Sequence, residues 1–248
     1  MDVALGMLAF WPALALGSFL NVVAARVPLR RSVVRPASAC MSCDTELAWH
    51  DNVPVLSWLW LRGRCRTCGV GISAVYPLVE LATAALVAGC FVKFGLSGEA
   101  FLASFFCVVL IVLSAIDLEH RIVPNRIVVP AAAIVLVAQT ALHPSPEWTL
   151  GALGASGFLF LAALAYPAGM GMGDVKLALL LGAMLGRLVG VGLMLGMVAA
   201  LVPSVYLLAR HGSAARKMGI PFAPFLALGA LIALFVGQTL LDAYLSHF

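Results

Sequence analysis

Long apolar stretches alternate along this chain with short polar segments, and one polar segment, residues 26–74, is much longer than the others. Apolar runs of about 17–25 residues can cross the hydrocarbon core of a bilayer as α-helices. The pattern therefore predicts eight spans, of which the sixth is the shortest and its border with the seventh is the least sharply defined. They cover residues 3–25, 75–94, 100–118, 126–143, 148–168, 175–187, 188–209 and 220–245.

Composition agrees with this pattern. The chain has 248 residues, of which 63% are hydrophobic and 10% are charged, whereas a soluble domain carries about 25% charged residues. These values exclude an ordinary soluble domain and predict an all-α, polytopic membrane protein. The first span begins MDVALGML, with an acid rather than a basic residue and without a convincing cleavage pattern, so we expect a span and not a cleaved signal peptide.

The basic residues lie mainly on one side of the predicted spans. Residues 26–74 contain seven arginines against three acids, and if the spans alternate this segment shares a side with the basic 118–125 turn and 210–219 loop. Cytoplasmic loops of membrane proteins are enriched in Lys and Arg. We therefore expect this side to face the cytoplasm, with both termini on the other side, where Lys93 and Arg187 are the exceptions.

Four cysteines stand in the long polar segment as two close pairs. Residues 40–68 read CMSCDTELAWHDNVPVLSWLWLRGRCRTC, which is C-x2-C, 21 residues, and C-x2-C. This spacing is typical of Zn²⁺ bound by four thiolates, and nearby arginines would help to keep the thiolates ionised. Two disulfides are the alternative, but a cytoplasmic loop lies in a reducing compartment. The predicted ligands are Cys40, Cys43, Cys65 and Cys68.

The segment between the cysteine pairs is both aromatic and basic, reading WHDNVPVLSWLWLRGR at 49–64. It either lies on the anionic face of the membrane or forms a small core around the metal. The sequence leaves both alternatives open. Cys90 and Cys107 lie inside apolar spans, where we expect ordinary packed residues.

Two carboxylates stand at the ends of apolar spans. Asp117 ends the third span in VLSAIDLEHRIVPN, and Asp174 follows the fifth in GMGMGDVK. Ionisable residues at such positions mark function by default. The predicted topology places both at the same depth on the cytoplasmic side, so they can meet although 57 residues separate them.

A pair of carboxylates in one pocket of low dielectric shares a proton. The ionised member can then activate a water while the protonated member polarises a carbonyl, as peptide hydrolysis requires. Gly171 and Gly173 would let a substrate backbone approach and let the segment adopt conformations that other residues resist. We also expect Lys176 to support this catalytic loop.

A zinc-loop membrane adaptor without chemistry is one alternative, but an adaptor does not need two matched acids on one side of the membrane. Two other interpretations give these acids a different role. In the structural one, each acid pairs with a neighbouring base, Asp117 with Arg121 and Asp174 with Lys176. In the other, the membrane acids serve a proton-coupled transporter. A transporter gives no reason for the cysteine pairs, and the chain shows no convincing inverted repeat.

Several motifs in order resemble the type IV prepilin peptidases, the bifunctional leader peptidases and N-methyltransferases of pilus and type II secretion systems. The resemblance covers nearly the whole chain. Besides the two CxxC pairs, it rests on GSFLNVVAARVP at 17–28, ISAVYPLVELAT at 72–83, DLEHRIVPN at 117–125, GMGDVKLALLLGAMLG at 171–186 and IPFAPFLALGAL at 220–231.

This resemblance implies an aspartic membrane protease of the GxGD class, with Asp117 and Asp174 as its catalytic pair. It implies prepilin or pseudopilin substrates whose short basic leader is cut after a glycine on the cytoplasmic side of a bacterial inner membrane. The new N-terminal residue would then be methylated with S-adenosylmethionine. We expect membrane lipid and substrate helices as partners, and no nucleic acid.

The resemblance also divides the chain. Family members with peptidase activity alone lack the cysteine-containing region, which implies a methyltransferase-associated region at 1–98 and a peptidase domain at 99–248. Glu80, in YPLVEL about one turn inside the second span, has two readings. It belongs to the methyl-transfer region and recognises the new amino group, or it makes a structural hydrogen bond or ion pair.

Overall fold

A computed structural model describes residues 2–166, 170–212 and 219–246. Their regular structure is helical, with two isolated β-bridges and no β-strand among them. The predicted all-α fold is confirmed. Gly169 of the glycine motif, and Arg216 and Lys217 of the basic 210–219 loop, lie outside the described residues. The α-helices are α1 (Asp2–Arg26), α2 (Leu56–Trp60), α3 (Val75–Phe94), α4 (Gly98–His120), α5 (Asn125–Leu142), α6 (Glu147–Ala165), α7 (Met172–Leu185), α8 (Val189–His211) and α9 (Ala223–Leu245).

Seven segments of the described chain are long and apolar enough to cross a membrane. The predicted sixth and seventh spans form one of them, Met172–His211. Inside it, α7 ends at Leu185 because Gly186 has a φ of 53°, and a short 3₁₀ turn leads into α8. With 14 residues, α7 is only about 21 Å long, shorter than a hydrocarbon core of about 30 Å. The predicted short sixth span is therefore the short helix α7, and a 3₁₀ turn rather than a polar loop connects it to α8.

The chain divides into two compact units, Met1–Ala115 and Ile116–Phe248. The division falls inside α4, whereas the sequence interpretation placed it at residue 98. The assignment of methyl transfer to one part and peptide hydrolysis to the other stays a prediction.

In the first unit, α1 packs along α3. Their common core includes Ala13 and Leu14 from α1 and Ala84 and Val87 from α3. A Cβ added at Gly17 would lie 2.6 Å from the Cα of Glu80, so a residue without a side chain is required for this close approach of the two helices.

In the second unit, glycines bring helix backbones together. A Cβ on Gly151 of α6 would lie 2.8 Å from the carbonyl oxygen of Gly182 in α7, and one on Gly196 of α8 would lie 2.8 Å from the carbonyl oxygen of Phe225 in α9. Helix α7 packs against α5 and α6, and nearly every residue from Val175 onward is buried. The first turn of α7, which carries Asp174, is therefore held by a well-packed helix.

Candidate active site and metal centre

The first cysteine pair is shaped by a tight turn within residues 39–46. The N–H of Cys40 donates to the carbonyl of Thr45 at 3.0 Å, and the N–H of Asp44 donates back to the carbonyl of Cys40 at 3.0 Å. Asp44 has a φ of 54°, in the left-handed region that Asp tolerates better than most residues. An isolated bridge between Ala39 and Glu46 closes the turn.

The second pair repeats this turn at the same positions. The N–H of Cys65 donates to the carbonyl of Val70 at 2.8 Å, and the N–H of Gly69 donates to the carbonyl of Cys65 at 3.0 Å. Gly69 has a φ of 71° and takes the place of Asp44 in the first turn. ACMSCDTE and RCRTCGVG are thus two copies of one local structure, a repeat that the sequence interpretation missed. The sequence does carry a signal for this repeat. The residue four positions after the first cysteine of each pair, Asp44 or Gly69, is of a type that tolerates positive φ.

Together the two turns bring the four predicted ligand sulfurs within 4.8 Å of one another. Sγ of Cys40 and Sγ of Cys68 are 3.7 Å apart, which suits Zn²⁺ because zinc–sulfur bonds of about 2.3 Å place tetrahedral ligands about 3.8 Å apart. All described cysteines are free thiols. Backbone N–H groups of Cys68 and Thr67 lower the pKa of the Cys65 thiol to about 6, whereas burial and the neighbouring thiols raise the pKa of Cys68 to about 11. Without metal the cluster therefore holds part of the thiolate charge that zinc binds. The residues fit a zinc ion.

Two side chains hold the cysteine segment, residues 26–74, together from within. Arg66, inside the second pair, donates from Nε to both carboxylate oxygens of Asp51 at 3.0 Å. Hydrogen bonding to this guanidinium lowers the pKa of the Asp51 carboxyl, whose side chain is 8% exposed. Trp58 of α2 donates from Nε1 to the carbonyl of Ile72 at 3.0 Å. The segment is thus a folded unit and not an open loop.

Glu80 lies in α3, is 7% exposed, and contacts the cysteine segment. Its Oε2 accepts a hydrogen bond of 2.7 Å from the N–H of Val55, the residue before α2, and the hydroxyl of Ser18 in α1 also reaches the carboxylate. Asn21 of α1 donates to the carbonyl of Tyr76 in α3. The carboxylate of Glu80 therefore binds protein donors, and its role in methyl transfer stays a prediction.

Asp117 lies in the last turn of α4 and is 5% exposed. Its Oδ2 accepts a hydrogen bond of 3.0 Å from the N–H of Ala223, the first residue of α9. The N–H of a helix's first residue has no partner in its own helix, so α9 supplies a donor that holds this carboxylate in place. The sequence interpretation used IPFAPFLALGAL at 220–231 only for its resemblance and expected the PFAPF within it to touch no catalytic acid, which the hydrogen bond from Ala223 shows to be wrong.

Asp174 lies in the first turn of α7 and is partly exposed. Its N–H donates to the carbonyl of Gly171 at 3.1 Å, and its carboxylate interacts electrostatically with that of Asp117. The structure thus brings together the two acids that the sequence interpretation paired, one of them buried and bound by a backbone donor and the other partly open.

Two contacts join the turn after Asp117 to the start of α7. A Cβ on Gly173 would lie 2.9 Å from the Cβ of Val123, so only glycine lets these two segments approach so closely. Nζ of Lys176 donates to Oδ1 of Asn125 at 2.8 Å. Gly171 has a φ of −83°, which any residue adopts, so its backbone conformation gives no reason for glycine there; the expected approach of a substrate backbone stays a prediction.

The ion pairs of the structural alternative do not form. Among the residues that the structure describes, neither Asp117 nor Asp174 forms a salt bridge, and the arginine that does pair with an acid near the cysteines is Arg66, with Asp51. Arg121 acts on Asp117 only through its electrostatic field, and Lys176 binds Asn125. Neither candidate catalytic acid is neutralised by the base that this interpretation gave it.

Comparison with known families identifies the chain. Residues 12–94 match the bacterial peptidase A24 N-terminal domain, and residues 104–238 match the type IV leader peptidase family. The second match covers more than half of the chain, so the chain belongs to the type IV leader peptidase family. The predicted resemblance, and with it the expectation of an enzyme of this family, is confirmed.

Three relatives, each named prepilin leader peptidase/N-methyltransferase, illustrate the similarity. The protein of Bacillus subtilis is 36% identical over 242 residues, which cover 94% of each chain. That of Myxococcus xanthus is 44% identical over 207 residues, 79% of this chain and 61% of the relative. That of Xanthomonas campestris is 33% identical over 267 residues, 94% of this chain and 91% of the relative. No solved structure matches this chain significantly.

Proposed function

We propose that this chain is a bifunctional leader peptidase and N-methyltransferase of a bacterial inner membrane. It cleaves the basic leader of prepilins or pseudopilins with Asp117 and Asp174 and then methylates the new N-terminal residue with S-adenosylmethionine. One observation carries the peptidase half: two carboxylates from motifs 57 residues apart interact within one compact unit, at the ends of two apolar helices.

The chemistry of the pair follows from its surroundings. The two acids share one proton because two negative charges in an apolar site repel each other strongly. The ionised acid takes a proton from a water, whose oxygen attacks the scissile carbonyl carbon, and the protonated acid gives its proton to the carbonyl oxygen. Asp117 is buried and held by the hydrogen bond from Ala223. Asp174 is partly exposed, so it is the acid that a water or a substrate meets first.

The proposed site faces the cytoplasm. The arginine-rich segment 26–74 and the turn at 121–124 fall on the same side when the spans alternate, and the positive-inside rule assigns that side to the cytoplasm. A basic leader would stay there while the apolar helix of the substrate remains in the bilayer. Both proposed catalytic acids lie at helix ends next to this side.

Zinc at the four cysteines has a structural role in this proposal. A closed site of four thiolates leaves no coordination position for a substrate, and such sites contribute to folding rather than to chemistry. Cys40, Cys43, Cys65 and Cys68 would hold the ion and so join the two cysteine turns.

The methyltransferase half rests on the resemblance and on the names of the relatives. The described residues contain no strand followed by a glycine-rich turn and a helix, so they offer no nucleotide site of that kind for S-adenosylmethionine. Oε2 of Glu80 accepts the hydrogen bond from Val55. An ionised carboxylate has about four acceptor sites, so recognition of an amino group by Glu80 would use the sites that this bond leaves.

The decisive test is mass spectrometry of a prepilin co-expressed with the chain. The unmodified enzyme should give a substrate that has lost its leader and gained one methyl group. Asp117→Asn and Asp174→Asn should each leave it at full length, a loss of more than about 10³-fold in rate, because each removes a proton-transfer group that acts on the reacting atoms.

Glu119→Gln is the matched control, because Glu119 is exposed on the same turn of α4 as Asp117. It should cleave normally. Appreciable cleavage by either aspartate variant would refute the catalytic pair, and cleavage without methylation by the unmodified enzyme would refute the methyltransferase half alone.

A further inference from the structure

The short helix α2 has its apolar residues on the outside. Leu56, Leu59 and Trp60 are 60%, 59% and 83% exposed. Their spacing of three and four residues places them on one side of the helix, which we call the α2 apolar face. Trp58 on the other side points into the cysteine segment, where its ring lies against Gly63 and its Nε1 binds the carbonyl of Ile72. Exposure of the α2 apolar face to water would be unfavourable.

The depth of α2 is set by its contacts with the membrane helices of the same unit. Val55, directly before α2, binds Glu80 through its N–H and packs against the apolar core of α1 and α3. Glu80 is five residues into α3, about 7.5 Å along its axis. Since α3 has 20 residues, it spans about 30 Å and fills the hydrocarbon core. The start of α2 is therefore held within about 7.5 Å of the boundary between the acyl chains and the headgroups, the depth to which interfacial helices bury their apolar face.

Basic residues follow the apolar face. Arg62 and Arg64 come directly after α2 and are exposed, and neither forms a salt bridge with any residue that the structure describes. Arg30 and Arg31, after α1, are exposed as well. An interfacial helix pairs an apolar face with Lys or Arg at its polar border, and basic residues near an anionic surface strengthen membrane binding.

We propose that the α2 apolar face lies in the bilayer interface and that Arg62 and Arg64 bind anionic lipid headgroups there. The cysteine segment is then anchored to the membrane at two places, by Glu80 to α3 and by α2 to lipid. The proposal assigns the two alternatives that the sequence left open for residues 49–64 to different side chains. Trp58 belongs to the core of the segment, and the α2 apolar face belongs to the membrane.

Tryptophan quenching in nanodiscs tests the proposal on the full chain. Trp60 is one of five tryptophans, so its own emission is the difference between the unmodified chain and Trp60→Phe. Lipids brominated near the headgroup end of the acyl chain should quench this emission at least about twofold, whereas iodide in the aqueous phase should have little effect. Trp58→Phe gives the matched difference for an inward tryptophan of the same helix, which both quenchers should affect less.

The lipid headgroup is tested by changing which lipid carries the bromine. At equal mole fractions, a brominated anionic lipid should quench Trp60 more strongly than a brominated zwitterionic lipid, and Arg62→Gln with Arg64→Gln should abolish the difference. Equal quenching by both lipids in the unmodified chain would overturn the arginine part. Quenching of Trp60 by iodide would show that water covers α2, and quenching by neither agent would show that protein covers it. Either result would overturn the proposal.

Discussion

In the cysteine centre, the hydrogen bonds that shape each CxxC turn join residues at most nine positions apart. In the aspartate centre, the bond from Lys176 to Asn125 joins residues 51 positions apart, and the bond from Ala223 to Asp117 joins residues 106 positions apart. The first centre is built twice from the same eight-residue turn. The second is assembled from the ends of α4, α7 and α9.

This difference means that the two centres should fail for different reasons. The cysteine centre depends on its ligands and on the backbone conformation of two turns, so distant helix packing affects it little. The aspartate centre depends on how closely α7 approaches the turn after Asp117, so one added methyl group can separate its parts. Substitutions that separate the two effects test the comparison directly.

The largest expected effect is the loss of metal on removal of one thiolate. Cys40→Ser should lower the zinc content from about one ion per chain to nearly none, because a four-thiolate site has no spare ligand. Leader cleavage should fall by less than about tenfold, because Cys40 belongs to a different compact unit from Asp117 and Asp174 and shares no partner with them. Elemental analysis of the purified protein and the mass-spectrometric cleavage assay measure the two effects.

Cys107→Ala is the matched control for this variant. Cys107 is fully buried in α4 with its Sγ 3.7 Å from that of Cys90, so its substitution removes a thiol without touching the cysteine centre. It should retain zinc. Retention of zinc by Cys40→Ser would refute the four-cysteine site, and a complete loss of cleavage in that variant would contradict the independence of the two centres.

A smaller effect, this time in the aspartate centre, is expected at Gly173, the residue directly before Asp174. Gly173→Ala places a methyl group 2.9 Å from the Cβ of Val123. Overpacking of this kind costs about 1–3 kcal/mol, and a shift of the catalytic group of about 1 Å can cost on the order of 10²-fold in rate. We therefore expect cleavage to fall by about 10- to 100-fold while the zinc content stays unchanged.

Gly171→Ala provides the comparison within the same motif. A Cβ at this position would lie 3.8 Å from Oδ2 of Asp174, an ordinary contact, and the backbone at Gly171 suits any residue. Its thermal stability should match that of the unmodified chain. Equal losses of stability in the two variants would show that the approach of Gly173 to Val123 is not the reason for the glycine.

The sequence predicted the parts of the fold and of both centres that side-chain type and spacing encode. Apolar length gave helix positions within a few residues, and the spacing of the cysteines gave the group of four sulfurs. The alternation of spans predicted that Asp117 and Asp174 could meet, and the structure brings these two acids together; the side of the membrane that they face stays a prediction.

What the sequence did not predict are contacts made by backbone groups. The N–H of Ala223 that binds Asp117, and the N–H of Val55 that binds Glu80, leave no signature in residue type. Their positions follow from where α9 begins and where the cysteine segment meets α3. The need for glycine at 173 but not at 171 likewise depends on Val123, a neighbour that only helix packing supplies.

The smallest expected effect compares the two cysteine turns with each other. Asp44 and Gly69 hold equivalent positions with φ of 54° and 71°. The space around Gly69 is open, with nothing within 4 Å of an added Cβ. A side chain at this position would therefore meet no steric clash with its neighbours. Its cost would come from the left-handed backbone conformation, which costs a non-glycine residue about 1–2 kcal/mol.

Gly69→Ala should weaken zinc binding about 5- to 30-fold by this cost, measured by competition with a chelator on the full chain in detergent. Asp44→Gly should strengthen it, by less, because Asp tolerates this conformation better than Ala does. Opposite signs at the two positions are expected only if the turns are copies of one structure under the same backbone constraint. Weakening by both substitutions would mean instead that the Asp44 side chain itself stabilises the first turn. The two turns would then share a backbone conformation but would not be stabilised by the same interactions.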